Sequence, residues 1–240
     1  MAKTEKARDA GAALALLWDE TEQPTRGPKP SLSPRRLAEA AVTIADAEGL
    51  DAVSMARVAA VFGVSGMALY RYVPGKAELV ELMVEAILAD RPDLSAAGDD
   101  WRARIVEWAR RSRAVYQAHP WLLPATGMRR QAMGPNQLGW MDAALAALEP
   151  TGLGAGDRHQ TFLLVAGLVR TMAQQSADYD AEQDREWNRL NGELLERHAH
   201  RFPALTRAIV GGAFDPIDDP LGFGLDRLLD GVQALIDRAR

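Results

Sequence analysis

Residues 54–76, SMARVAAVFGVSGMALYRYVPGK, leave the chain few choices, because they hold two helix starts and one obligatory turn in close succession. Ser54 is an oxygen-bearing N-cap, and Met55, Val58, Ala59 and Phe62 recur at the spacing of one buried helical face. Gly63 follows, where a residue without Cβ takes the left-handed conformation that ends a helix. Val64 fills the corner and Ser65 caps a second helix, and a link this short forces a sharp angle between the two. Leu69 plugs back into the core, which leaves Met67, Ala68, Tyr70 and Arg71 for the outer surface. Pro74 and Gly75 break the chain before Lys76 opens a further helix, where its ammonium and the first backbone N–H groups favour a phosphate. The unit predicted from these residues is a helix-turn-helix.

Its order of residues resembles the DNA-binding domain of the TetR family of one-component regulators, a capped helix, G-V-S, three variable residues, L-Y-x-H/Y-F/V, two residues and K. Gly63, Val64, Ser65, Leu69, Tyr70, Tyr72, Val73 and Lys76 match that pattern in order and spacing. The resemblance implies that Tyr70, Tyr72 and Lys76 contact phosphates and that Ser65, Gly66, Met67 and Ala68 face base edges. Gly66 and Ala68 carry no side-chain donors, so few hydrogen bonds to bases are available from this helix, and Met67 is left to touch a thymine methyl.

The charge balance looks wrong for a DNA binder, since the net formal charge of the 240 residues is -5. Its distribution matters more. Residues 23–36, QPTRGPKPSLSPRR, hold Arg26, Lys29, Arg35 and Arg36 and no acid. Residues 4–18 read as an amphipathic helix and 23–30 as a stiff Pro-rich linker. Either the linker is a solvated tether, or Arg26 and Lys29 lie in the minor groove beside the reading helix. Arg35 and Ser54 complete the candidate DNA-binding set. Cysteine is absent, which excludes disulfides and thiol chemistry, and no apolar run is long enough to span a membrane. With no signal-peptide pattern at the N-terminus, a cytoplasmic protein is expected.

Helical periodicity continues throughout, so the expected fold is all-α: an N-terminal three-helix DNA-binding domain and a larger helical domain for ligand binding and dimerisation. The expected boundaries are 1–30 for the extension and arm, 31–76 for the helix-turn-helix domain, 77–92 for a connecting helix and 93–240 for the C-terminal domain. Ser33 and Pro34 start a helix that Gly49 ends. The connecting helix has Leu79, Leu82, Met83, Ala86 and Ile87 on one side and Glu78, Glu81 and Glu85 on an acidic face turned from DNA. Further helices are expected from Trp101 to His119, Pro135 to Leu148, Asp157 to Ala177, Asp180 to Ala199 and Pro220 to Ala239, with an irregular turn from Trp121 to Gly127. The Asp157 helix, apolar from Phe162 to Val169, and the last helix, with Gly222, Gly224 and Gly231 beside its Leu seam, suit a homodimer, which the resemblance also implies.

The C-terminal domain is expected to enclose a cavity. Trp108, Tyr116, Trp140, Met141, Phe162 and Met172 are the candidate ligand-binding residues, with Trp101, Trp121, Met128 and Met133 as further lining and Gln137, Gln160, Arg170 and Gln174 as orienting groups. Such a set suits a small, largely apolar or aromatic molecule. The function expected is a DNA-binding transcriptional regulator, a repressor released from operator DNA by that molecule. The alternative is a dimeric DNA-binding or adaptor protein without a small-molecule ligand. An enzyme is not expected, nor a cofactor or metal: His198 and His200 lack further ligands at metal spacing, and Gly152, Gly154 and Gly156 lack the strand that a phosphate-binding loop requires.

Overall fold

The computed structural model describes residues 10–18, 32–127, 132–177, 181–215 and 217–239, which are helical with no β-strand. Helix α1 (Ala10–Leu17) comes first and buries Leu16 and Leu17. Arg26, Lys29 and Met128 lie outside the described residues.

The reading head follows the punctuation of its sequence. Helix α2 (Pro34–Glu48) starts where Ser33 Oγ accepts from Arg36 N at 3.3 Å and stops at Gly49, whose φ of +84° an L side chain rarely adopts. Helix α3 (Met55–Val61) is capped by Ser54 Oγ, which accepts from Arg57 N at 3.2 Å, and Gly63 turns the chain at φ +68°. Helix α4 (Gly66–Leu69) is a single turn, and Ser65 at its cap position makes no capping hydrogen bond. Helix α5 (Lys76–Ile87) then leads away from the head. Leu37, Val58, Leu69, Leu79 and Met83 are completely enclosed between these helices, each stabilising the fold by roughly 1.5–3 kcal/mol.

The body is built from α6 (Trp101–Ala118), α7 (Leu122–Thr126), α8 (Pro135–Leu148), α9 (Ala155–Ala177), α10 (Ala181–Arg197), α11 (Pro203–Val210) and α12 (Pro220–Ala239). Helices α6, α8, α9 and α12 surround a second core containing Ile105, Trp108, Leu148, Val165, Leu225 and Leu229. Helices α8 and α12 have the bounds expected from the sequence, because a Pro at the first position sets where each begins.

Five expectations need correction. Residues 121–127 are not an irregular turn. They form α7, whose Leu122, Leu123 and Ala125 join Trp121 in burial, the segment being sealed between head and body. The acidic side of α5 is not free either: Glu81 and Glu85 are 4% and 7% exposed, covered by the approach to α8. Helix α11 was not expected, and α9 starts at Ala155 rather than Asp157. Gly224 belongs to packing inside the protomer, since a Cβ there would press on Leu168 of α9.

Head and body share structure rather than merely touching. Asp46 of α2 accepts from Trp121 Nε1 at 2.6 Å and lies 2.7 Å from His119 Nδ1, both beyond the domain boundary expected near residue 92. Trp121, Leu122 and Ala125 are members of the core that Leu37 and Leu69 belong to.

Candidate DNA-reading face and ligand cavity

The outer side of the head carries an apolar and aromatic surface rather than a row of polar donors. Met67 is 76% and Tyr70 48% exposed, with Arg71 and Ser65 exposed beside them. Ala68 is half-buried. Gly66 is held at the α3–α4 contact, where a Cβ would just touch the Ala56 backbone at 3.4 Å, so its position packs against α3 rather than standing free. Tyr72 is half-buried against the head core. Lys76 Nζ donates to the Leu50 carbonyl at 3.2 Å, which ties the start of α5 back to the end of α2 and holds the ammonium at the helix N-terminus. The Ser54 hydroxyl is engaged as the α3 cap, and Arg35 is paired with Glu39 at 2.9 Å. Arg36 lies over the Phe62 ring at 5.4 Å.

The cavity lies deeper, between α5, α6, α7, α8 and α9, and has a volume of about 230 Å³. Trp108 forms its rear wall, edge-on to Trp140 at 6.4 Å and to Phe162 at 5.6 Å between ring centroids. The buried Trp108 Nε1 donates to the Trp140 carbonyl at 2.9 Å, and Trp140 Nε1 to the Leu88 carbonyl at 3.1 Å. These two bonds fix the ring planes while satisfying both indole N–H groups. Tyr116, Met141, Met133 and Gln137 also line the cavity, as do Ser112 and Thr126, which sequence reasoning missed. Among the described lining residues the polar groups are hydroxyls and an amide, with no charged side chain.

Other expected lining residues are elsewhere. Met172 faces a separate depression beside Arg113 and Leu221, because the α9 positions that turn to the cavity are Phe162, Ala166 and Val169, and Met172 lies off that stripe. Trp101 packs on the second core away from the cavity, and Trp121 is committed to Asp46. Gln160 and Gln174 are exposed. Arg170 donates to Thr126 Oγ1 at 2.5 Å and to the Leu123 carbonyl at 2.7 Å, so it pins α7 rather than pointing at a guest.

Leu88, Val115 and Tyr116 pack against both cores and also line the cavity, which places the hollow where head and body meet. The sequence comparisons divide the chain into the same two parts. Residues 37–83 match the family described as bacterial regulatory proteins, tetR family, and residues 94–236 match the tetracyclin repressor-like C-terminal domain. The chain belongs to the TetR family of transcriptional regulators. Among its relatives, the HTH-type transcriptional repressor DrrR1 of Streptomyces coeruleorubidus is 38% identical over 99% of this chain and 91% of its own length. Apo ActR from Streptomyces coelicolor superposes with a TM-score of 0.73 at 26% identity, covering 89% of this chain and all of that one. ActR in complex with actinorhodin gives a TM-score of 0.69 at 26% identity, covering 86% and 97%. The TetR-family assignment accounts for the helix-turn-helix and for the two-core architecture. No helix among the described residues is long and apolar enough to cross a membrane.

Burial pushes the Glu85 carboxyl above its ordinary value of 4.5, while backbone N–H groups of Asn136, Gln137 and Gly134 pull it down. Folded protein therefore holds this proton more tightly than unfolded chain. The stability gained from it is complete below the unfolded value and is lost as pH rises through the folded one. Denaturant titrations from pH 4 to 8 are expected to show wild type losing stability relative to Glu85→Gln across that window, then running parallel to it. A constant difference over the whole range would remove Glu85 as the titrating group.

Proposed function

We propose that this TetR-family regulator is a cytoplasmic, dimeric repressor that leaves its operator when a compact, neutral aromatic molecule enters the cavity. The observation that carries this reading is the position of the hollow: Leu88, Val115 and Tyr116 form its wall and are at the same time the seam between the two cores. A guest that reshapes this wall changes the angle between body and head, and it shifts the population only by its different affinity for the two arrangements. Its volume of about 230 Å³ is below the roughly 300–1,000 Å³ of drug-sized sites, which favours a small polycyclic ring system. Hydroxyls of Ser112, Tyr116 and Thr126 and the Gln137 amide, with no charged neighbour among the described lining residues, favour a hydroxylated and uncharged one. That ActR, of the same fold, forms a complex with actinorhodin supports a small-molecule effector here.

On the DNA side, Met67 and Ala68 are read as base-facing with Ser65 and Gly66, and Tyr70, Tyr72 and Lys76 as phosphate-facing. So little direct readout per head favours a two-fold pair on half-sites about 34 Å apart. Helices α9 and α12 supply a face for that pairing, with Leu163, Leu164 and Phe223 exposed and Gly167 and Gly231 open for close approach. The adaptor alternative calls for a filled body, and the cavity speaks against it.

Footprinting on the DNA upstream of the protein's own gene, over a salt series and with added 1,2-dihydroxyanthraquinone, tests the reading. A protected near-palindrome that fades steeply with salt and is released by an aromatic compound is expected. Protection that no cavity-binding compound releases would leave a DNA-binding protein without an effector.

A further inference from the structure

Helix α8 is fastened to α5 by a ladder of bonds that climbs both helices in the same direction. Near its foot, Glu81 Oε1 accepts from Ala132 N at 3.0 Å. One turn on, Glu85 Oε2 accepts from Asn136 N at 2.8 Å and Oε1 from Gln137 N at 3.0 Å, while Asn136 Nδ2 donates to the Glu85 carbonyl at 2.9 Å. Above them Trp140 Nε1 reaches the Leu88 carbonyl at 3.1 Å, and beyond the end of α5 Arg91 pairs with Asp142. The central rung is the strong one. A buried carboxylate takes two of the N–H groups that the first turn of α8 would otherwise leave without acceptors, and its charge lies at the positive end of a 14-residue helix. Gly134 makes room for it, since a Cβ at that position would overlap the Glu85 carboxylate.

The same stretch is the cavity wall. Met133, Gln137, Trp140 and Met141 line the hollow, so the residues beside each rung face the guest. A third element reaches this stretch from the N-terminal extension: Trp18, just after α1, donates from Nε1 to the Met133 carbonyl at 3.3 Å. Leu16 and Leu17 of α1 border a groove whose other walls include Leu82, Glu85, Pro135 and Asn136.

We infer that α5 and the first half of α8 move as one body, with Glu85 as the positioning residue that makes the cavity wall follow the reading head. This deepens the effector reading above, but the link itself requires only DNA binding. The wall is then carried by the lever rather than pressing on it from a separate part of the body. Operator binding, which fixes the head, must therefore be felt at residues 132–141 even with the cavity empty.

Amide hydrogen exchange of the full-length protein, free and bound to a duplex selected from random DNA, tests this without any effector. In wild type the duplex is expected to change exchange across residues 132–141 by about fivefold or more, the lower end of allosteric couplings. In Glu85→Gln, which keeps the shape and loses the charge and one acceptor, that change is expected to vanish, while operator affinity stays within about twofold. Gly134→Ala forces the same rung apart from the other side and is expected to give the same loss, which guards against a fold defect peculiar to one variant. If bound duplex leaves residues 132–141 of wild type unchanged, or if the change survives in both variants, the inference is wrong. Failure of every aromatic compound to release DNA would overturn the effector reading and leave this result standing.

Discussion

Leu69→Ala is expected to abolish operator binding by melting the reading head, whereas Tyr70→Ala is expected to abolish it with the head intact. Leu69 is completely enclosed and is the buried side chain of the single-turn α4, which packs on α3. Truncating a buried Leu costs about 2–5 kcal/mol, and a one-turn helix has little else to hold it. Tyr70, beside it in sequence, is half exposed, and surface changes of that kind stay within about 0.5 kcal/mol. If its hydroxyl bonds a phosphate, a contact to a charged group worth about 1.5–3 kcal/mol is lost from each half-site. Two copies make the expected loss of operator affinity at least ~100-fold, with a shallower salt dependence only if a cation is displaced too. Urea denaturation alongside footprinting separates the pair. Equal loss of stability in both variants would mean that Tyr70 packs the head rather than reading DNA.

The second large effect is expected in the body. Trp108→Ala removes the rear wall of the cavity together with its edge-on contacts to Trp140 and Phe162, at a cost of about 3–5 kcal/mol. Trp108→Phe is the more telling variant. It keeps an aromatic wall but loses the 2.9 Å bond to the Trp140 carbonyl, which retains its helical partner, a loss of about 0.5–1.5 kcal/mol. Thermal melts with and without 1,2-dihydroxyanthraquinone are expected to show a lower midpoint for both variants and a weakened ligand-induced rise for Trp108→Ala. A ligand-induced rise that Trp108→Ala leaves at its wild-type size would place the guest outside this cavity.

Much of the fold was legible because the chain punctuates itself with Ser, Pro and Gly. Ser33-Pro34, Ser54, Gly63, Pro135 and Pro220 each mark a boundary that the backbone observes, since capping and φ restrictions act locally and need no tertiary context. The resemblance at residues 63–76 was legible for the same reason, being a turn, a plug and a cap in fixed order. What escaped was decided by partners far along the chain. Helix α7 is too short for periodicity and contains Pro124, and only burial between head and body makes it regular. The acidic side of α5 gave no sign that Glu81 and Glu85 would be buried, because the N–H groups that meet them come from about 50 residues away. Of the candidate cavity residues, Trp108, Tyr116, Trp140, Met141 and Phe162 do meet around one hollow. Met172 does not, since an apolar residue on a helix in the middle of a bundle has more than one side to face.

The carboxylate of Asp46 has a consequence for anyone who would build hybrids from this family. Because His119 and Trp121 both come to it, and because Trp121, Leu122 and Ala125 fill the same core as Leu37 and Leu69, the head has no clean seam at residue 92. A foreign head spliced there would bring its own surface to a tryptophan waiting for an acid, and this head spliced elsewhere would leave an acid waiting for its tryptophan. Swaps that carry residues 119–127 together with residues 32–92 keep the matched pair, so the transferable unit is discontinuous in sequence.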